Sequence, residues 1–364
     1  MSTARTRPAA ALEPGPRELF GRRTIAYRSP GGRVSFRLDV RTLLVGGVLA
    51  VASLVLFVTA LIVGDFPLTL AQLVGALTGS SDATATMVVL DWRLPRAILG
   101  ALLGVALGAS GAIFQSLTRN PLGSPDILGF ASGAYTGALV VIMFASGSYA
   151  MIAGGAMLGG ILTTAAVYLL AHKRGVQGFR LIVVGIAVSA MLGSVNTWLS
   201  ITTELDTAMR AAVWGAGSLN GVGWAQTGVV VTVLAILIPG LILTAASLST
   251  LELGDDAAIA LGVRAERSRL WLLLIGTALT ALVTAAAGPI AFVALAAPQL
   301  ARRLTASGSV GIGASALLGA VLLQASDLVA SRMFAPTQLP VGVVTVSIGG
   351  GYLIWLLIRE SRRS

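Results

Sequence analysis

The side chains of this sequence that could do chemistry are few, and their spacing points away from bond-making. Cys is absent, which excludes thiol nucleophiles, disulfides and thiolate metal sites. The one His, His172, lies in "AHKRG" among charges and between two apolar runs, the setting of a solvated loop residue rather than a ligand, so no metal site is expected. The one Lys, Lys173, is followed by Arg174. A phosphate-binding loop ending in Gly-Lys-Ser/Thr therefore cannot be written, and any nucleotide energy must come from another chain. Nucleophiles and acid–base pairs do not cluster, which argues against a membrane-embedded enzyme.

Four polar constellations remain. The first is "LELGDDAAIALGV". Gly254 ends what precedes it, Asp255 or Asp256 can cap the first free N–H groups, Ile259 and Leu261 are apolar, and Gly262 is placed to close the helix in a left-handed turn. A helix of about two turns is unstable alone in water, so it either docks into a partner's groove or packs on its own protein. The second is "RNPLGSPDILG", where Pro121, Gly123 and Pro125 prevent a simple helical hairpin and Asn120 can cap or turn. The result is a rigid loop, serving as a gate or as a tight turn. In the third, Arg93 and Arg96 bracket Pro95, which fits the first turn of a helix. Cations there oppose the helix dipole, hinting at an acidic partner or at snorkelling to lipid phosphates. The fourth is Asp327, a carboxylate inside an apolar run. Arg332, five residues on, lies roughly 140° around a helix from it, so direct pairing is not expected and Asp327 reads as a structural hydrogen-bonding group.

The elements that must position these residues are membrane helices. Of 364 residues 55% are hydrophobic and 11% charged, far from the roughly 25% charged of soluble domains. The 44 Gly suit helices that approach backbone to backbone in lipid. Runs long enough to cross about 30 Å of hydrocarbon fall near 42–63, 95–116, 127–146, 150–171, 181–202, 226–247, 270–288, 289–307, 311–333 and 339–358. An even number puts both ends on one side. Of the 25 Lys and Arg, 21 then fall on the side of the N-terminal tail, and only Arg93, Arg96, Arg210 and Arg332 on the other, so both termini are read as cytoplasmic. A short external helix is expected near 69–78, and a second external segment, 201–224, places Trp214 and Trp224 at the interface. Residues 1–41 hold nine Arg against three acids with several Pro and Gly. They read as a disordered basic tail, with 42–364 as the membrane domain. The net charge of +10 is so distributed that it calls for no nucleic acid.

These residues carry a family resemblance. "WRLPRAILGALLGVALGASGAIFQSLTRNPLGSPDILGFASGA", "LELGDDAAIALGV", "GPIAFVALAAPQLARR" and "QLPVGVVTVSIGGGYLIWLL" resemble the permease subunits of binding-protein-dependent ABC importers for iron-siderophores, haem and vitamin B12. "MVVLDWRLPR" and "LPVGVVTVSIGGGYLIWLLIRES" are most similar to a permease subunit of ferric-enterobactin importers. The resemblance implies an all-α integral membrane bundle of about ten helices that passes a ferric siderophore across the plasma membrane by alternating access. It further implies a second homologous permease subunit in a heterodimer, two ATPase chains carrying the ATP and Mg, and an extracytoplasmic siderophore-binding protein, with no cofactor on this chain. A haem or cobalamin permease is the alternative within the family, and an ion-driven secondary transporter the alternative outside it. Leu253, Gly254, Asp255, Asp256, Ile259, Leu261 and Gly262 would form the helix that couples to the ATPase. Arg93, Arg96 and Arg332 would dock the binding protein, and Asn120, Pro121 and Leu122 would form the cytoplasmic gate. Three positions depart from many relatives: Ser331, where those have Arg and this chain has Arg332 beside it; Gln299, where they have His; and Gln338, where they have Glu.

Overall fold

The computed structural model describes residues 16–19, 22–28, 35–126, 128–145, 148–172 and 178–361. Three short strands come first: β1 (Pro16–Leu19), β2 (Arg22–Arg28) and β3 (Ser35–Asp39), an antiparallel meander in the order β1-β2-β3 with Ile25 opposite Leu38 and Tyr27 opposite Phe36. This corrects the expectation of a wholly disordered tail. The β-branched and aromatic residues of "TIAY" and "SFRL" are strand formers, a local signal that the charge count hides. The 1–15 portion of that tail lies outside the described residues.

Asp39 ends β3 and caps α1 (Val40–Ile62), its carboxylate accepting from the Arg41 N–H at 3.4 Å and the Thr42 hydroxyl at 3.2 Å. The helix expected near 69–78 is α2 (Leu70–Thr78), closed at its start by a reciprocal Thr69–Gln72 capping box. Next come α3 (Ala83–Met87), a π-helical stretch Val88–Arg93 and α4 (Leu94–Thr118). They run on as one apolar rod of 36 residues, Ala83–Thr118, about 54 Å long at 1.5 Å per residue. The second run therefore starts earlier than hydropathy suggests, because the π-turn Val88–Arg93 keeps the chain helical up to Pro95, which sits in the first turn of α4 where its missing N–H is tolerated.

The remaining elements are α5 (Phe130–Phe144), α6 (Tyr149–Ala171), α7 (Gly178–Thr202), α8 (Leu205–Gly215), α9 (Trp224–Glu252), α10 (Asp255–Ala260), α11 (Ala265–Ala287), α12 (Val293–Thr305), α13 (Ile312–Arg332) and α14 (Val341–Ser361). Each of the ten apolar runs holds a helix. Among the described residues seven are long and apolar enough to cross a membrane, while α5 and α12 are shorter and α14 has a short apolar stretch, Val341–Tyr352. Trp224 is exposed, its indole N–H donating to Leu90 O at 2.9 Å. Trp214 instead packs beside the buried cluster of Phe130, Ala156 and Ala281, because α8 folds back onto the bundle.

α4 is the axis of the packing, with α9, α11, α12 and α13 around it. Its glycines make this possible. A Cβ on Gly104 would lie 2.5 Å from Gly319 O, one on Gly108 2.1 Å from Ser315 O, and one on Gly111 1.8 Å from Ala294 O. Backbones so close leave no room for a methyl group, and dispersion over a flat helix–helix contact replaces the hydrophobic drive that lipid cannot supply. α1, by contrast, leaves Leu44, Val48, Val51 and Leu54 exposed, as a lipid-facing helix would.

Candidate functional site

At the end of the bundle remote from α10, the continuous rod brings three arginines together around a cavity of about 230 Å³ that also includes Asp65, Asp327 and Gln338. Arg93 donates to Leu61 O (2.9 Å), Ile62 O (3.0 Å) and Phe66 O (2.6 Å). It thereby satisfies carbonyls that the C-terminus of α1 leaves open. Arg96 forms a two-pronged pair with Asp327, Nε–Oδ2 and Nη2–Oδ1 both 2.9 Å, and gives its third bond to Gln338 Oε1 at 3.0 Å. Arg332 pairs with Asp65 at 2.8 Å.

One expectation changes here. The arginines do not stand at a bare helix N-terminus, since the rod begins at Ala83 under the Asp82 cap. The supposed conflict with the helix dipole therefore vanishes. Asp327 does not pair with Arg332, as the helical angle requires, and its structural role is to hold Arg96. Sequence reasoning had no signal for Asp65, and none for a partner of Asp327 that lies 231 residues away.

At the opposite end, α10 has the expected length and closure. Gly262, at φ +83, donates to Ile259 O (2.9 Å), and Val263 donates to Ala258 O (2.9 Å), the double hydrogen bond of a Schellman end. The start differs from expectation. Gly254 is the cap residue, at φ +118, and no side chain caps the helix. Asp255 and Asp256 sit in the first turn and point different ways. Asp256 is exposed, with Leu253, Ile259 and Leu261 exposed by 69, 61 and 66%. Ala258 is buried, and Asp255 turns toward the bundle to meet Arg119 at 2.6 Å and Arg269 at 2.8 Å. Burial works to raise the Asp255 carboxyl, but the hydrogen bonds and charges of Arg269 and Arg119 outweigh it and hold it below its ordinary value.

The loop after α4 lies beside this contact. Asn120 Oδ1 accepts from the Leu122 N–H at 2.9 Å, and Gly123 N–H donates to Asn120 O at 2.9 Å, so side chain and backbone fold the Asn-Pro-Leu turn on itself. Gln299 of α12 donates to Pro121 O at 2.6 Å. Leu122 is exposed.

Between the two ends a third feature was not legible in the sequence. An open cavity of about 810 Å³ is lined by Ser132, Tyr135, Asn196, Thr197, Ser200 and Ser347, with Gly, Ala, Val, Ile and Pro for the rest. None of its lining residues is charged. Non-helical backbone borders it at Ala216 and at Pro289–Ala291, as irregular main chain at membrane depth must when it is not exposed to lipid. Asn196 is buried and tied down, accepting from the Thr136 hydroxyl at 2.7 Å and donating to Ser132 O at 3.3 Å.

Over residues 43–359 the sequence matches the FecCD transport family. The chain belongs to that family. It is 51% identical over 300 residues to the ferric enterobactin transport system permease protein FepG of Escherichia coli K12, covering 82% of this chain and 91% of that protein. It is 38% identical over 336 residues to the achromobactin transport system permease protein CbrC of Dickeya dadantii, covering 90% and 95%. Among solved structures, an inward-facing metal-chelate type ABC transporter superposes with a TM-score of 0.77 at 25% identity, covering 87% of this chain and 99% of that one. The chain is thus a multi-span membrane permease of an ABC importer, a class that works with an ATPase and a binding protein.

Proposed function

We propose that this permease carries a ferric siderophore inward, received from a binding protein at the Arg93–Arg96–Arg332 end and driven by ATP bound and hydrolysed on separate chains at the α10 end. As a transport subunit it is not itself an enzyme, and it holds no ATP or Mg. The observation that carries the reading is the uncharged, hydroxyl- and amide-lined cavity lying between a basic end and a short capped helix. A conduit must let its cargo leave as well as enter, and weak dipoles from Ser132, Thr197, Ser200 and Ser347 suit a large polar chelate better than a fixed counter-charge would. The similarity to FepG and CbrC supports a siderophore over haem or cobalamin.

The cavity opens to one side of the bundle, so its other wall is a second permease subunit, here read as a homologous chain in a heterodimer. The exposed Leu253, Asp256, Ile259 and Leu261 form the surface that enters the ATPase, Gly254 and Gly262 close its two ends, and the Asn120–Pro121–Leu122 turn is the gate beside it. In this orientation α10 and both termini face the cytoplasm of a plasma membrane, and alternating access switches which mouth is open.

The test is uptake of iron-55 enterobactin and a siderophore panel by proteoliposomes holding both permeases, the ATPase and the binding protein. S200W, which fills the cavity, should stop uptake while ATP hydrolysis stimulated by the binding protein persists. Undiminished uptake by S200W, or haem uptake with no siderophore transported, would sink the proposal.

A further inference from the structure

The Asp255 carboxylate is turned away from the outer face of α10, toward the bundle, with its side chain 45% exposed. Both its arginine bonds converge on one oxygen, Oδ1: Arg119 Nη2 at 2.6 Å and Arg269 Nη2 at 2.8 Å. Two guanidinium groups held that close repel each other unless an anion lies between them, so Asp255 is what allows them to meet. Arg269 is largely buried, its side chain 11% exposed, and belongs to the first turns of α11. Arg119 reaches further. Its Nη2 and Nε also donate to Leu251 O in the last turn of α9, at 2.9 and 3.3 Å. Its own backbone, at φ +50, is the left-handed end of α4.

The residue after Arg119 is Asn120, which begins the self-bonded Asn-Pro-Leu turn. The far side of that turn is pinned to α12 through Gln299. A single side chain therefore joins α10 to the residue that precedes the turn. A second, uncharged route is also short, from α10 back over Gly254 to the Leu251 carbonyl that Arg119 holds as well. Charge-assisted hydrogen bonds are short and directional, so the ion pair transmits a displacement that the uncharged route would absorb.

We infer that Asp255 is a positioning residue that links α10 to the gate: movement of α10 pulls Arg119 and with it the Asn120–Leu122 turn. The inference rests on α10 being the ATPase-coupling helix, and it divides that helix in two. Leu253, Asp256, Ile259 and Leu261 receive the force, and Asp255 passes it on.

Because the chain has no Cys, L122C gives it one thiol at the exposed gate residue. The readout is the change in labelling rate of L122C by a membrane-impermeant maleimide on adding ATP to the full reconstituted complex, beside the rate of ATP hydrolysis. D255N and R119A, each in the L122C background, should lose the ATP-dependent change while the complex still co-purifies and hydrolyses ATP. The double variant should be no worse than either single one, and D255E should recover part of the change. An ATP-dependent change of parent size in both D255N and R119A would overturn the inference, as would additive losses or an ATPase shed by D255N. I259D is the separate check on α10. If it leaves the ATPase bound and stimulated, the coupling-helix reading fails whatever Asp255 does.

Discussion

D327N removes one charge from the Arg96 pair while keeping its shape. The pair is two-pronged at 2.9 Å on both bonds, and the side chains of Arg96 and Asp327 are 20% and 12% exposed. Breaking a fully buried pair from one side costs about 3–5 kcal/mol, because the surviving charge is left without a partner. Partial exposure here and the Gln338 bond that Arg96 keeps place the cost at the low end, about 3 kcal/mol, or roughly a hundredfold in the folded-to-unfolded ratio. Replacing both partners, R96M with D327L, removes the stranded charge and should recover most of that loss. Reversible unfolding of the purified permease in detergent, run on the four members of the cycle, gives the coupling energy directly. A loss below about 0.5 kcal/mol in D327N, within the usual range for surface changes, or simple additivity in the double variant, would refute the pairing. Binding-protein titration on the same variants separates structure from docking. If the Arg96 guanidinium also meets an acidic partner, D327N should tighten docking and R96M with D327L should weaken it.

G108A should cost about 1–3 kcal/mol by overpacking, since the new methyl would lie 2.1 Å from Ser315 O, against the α13 backbone; an unchanged unfolding midpoint would mean that α4 and α13 are not in that contact. The pH dependence of the α10 anchor follows from Asp255. Its folded-state carboxyl lies below the ordinary 3.8, so its stabilising contribution is complete above that value and is lost only as pH falls through the lower, folded one. Hydrogen-exchange protection of residues 255–263 should therefore be flat from neutrality down to about pH 5; a loss of protection already between about pH 7 and pH 5 would contradict the assignment of Arg119 and Arg269 as its partners.

Much of the fold is written in local sequence. Hydropathy located a helix in each of its ten apolar runs, seven of them long enough to span among the described residues, because an apolar run in lipid has no alternative to satisfying its own backbone. Gly262 announced the end of α10, because few other residues take that left-handed turn without strain. The Asn120–Leu122 turn likewise follows from its own residues, as Pro and Asn act on the backbone within a few positions.

What only tertiary structure decided is which charges meet. Arg96 with Asp327, Arg332 with Asp65 and Arg119 with Asp255 are separated by 231, 267 and 136 residues. No periodicity connects positions so far apart; the glycine contacts that press α4 against α13 fix the first of them. Capping logic gave Asp255 and Asp256 the same task, yet one faces out and the other in. In a helix of six residues, the burial of Ala258 sets which side faces the bundle, and that contact is made by the fold as a whole.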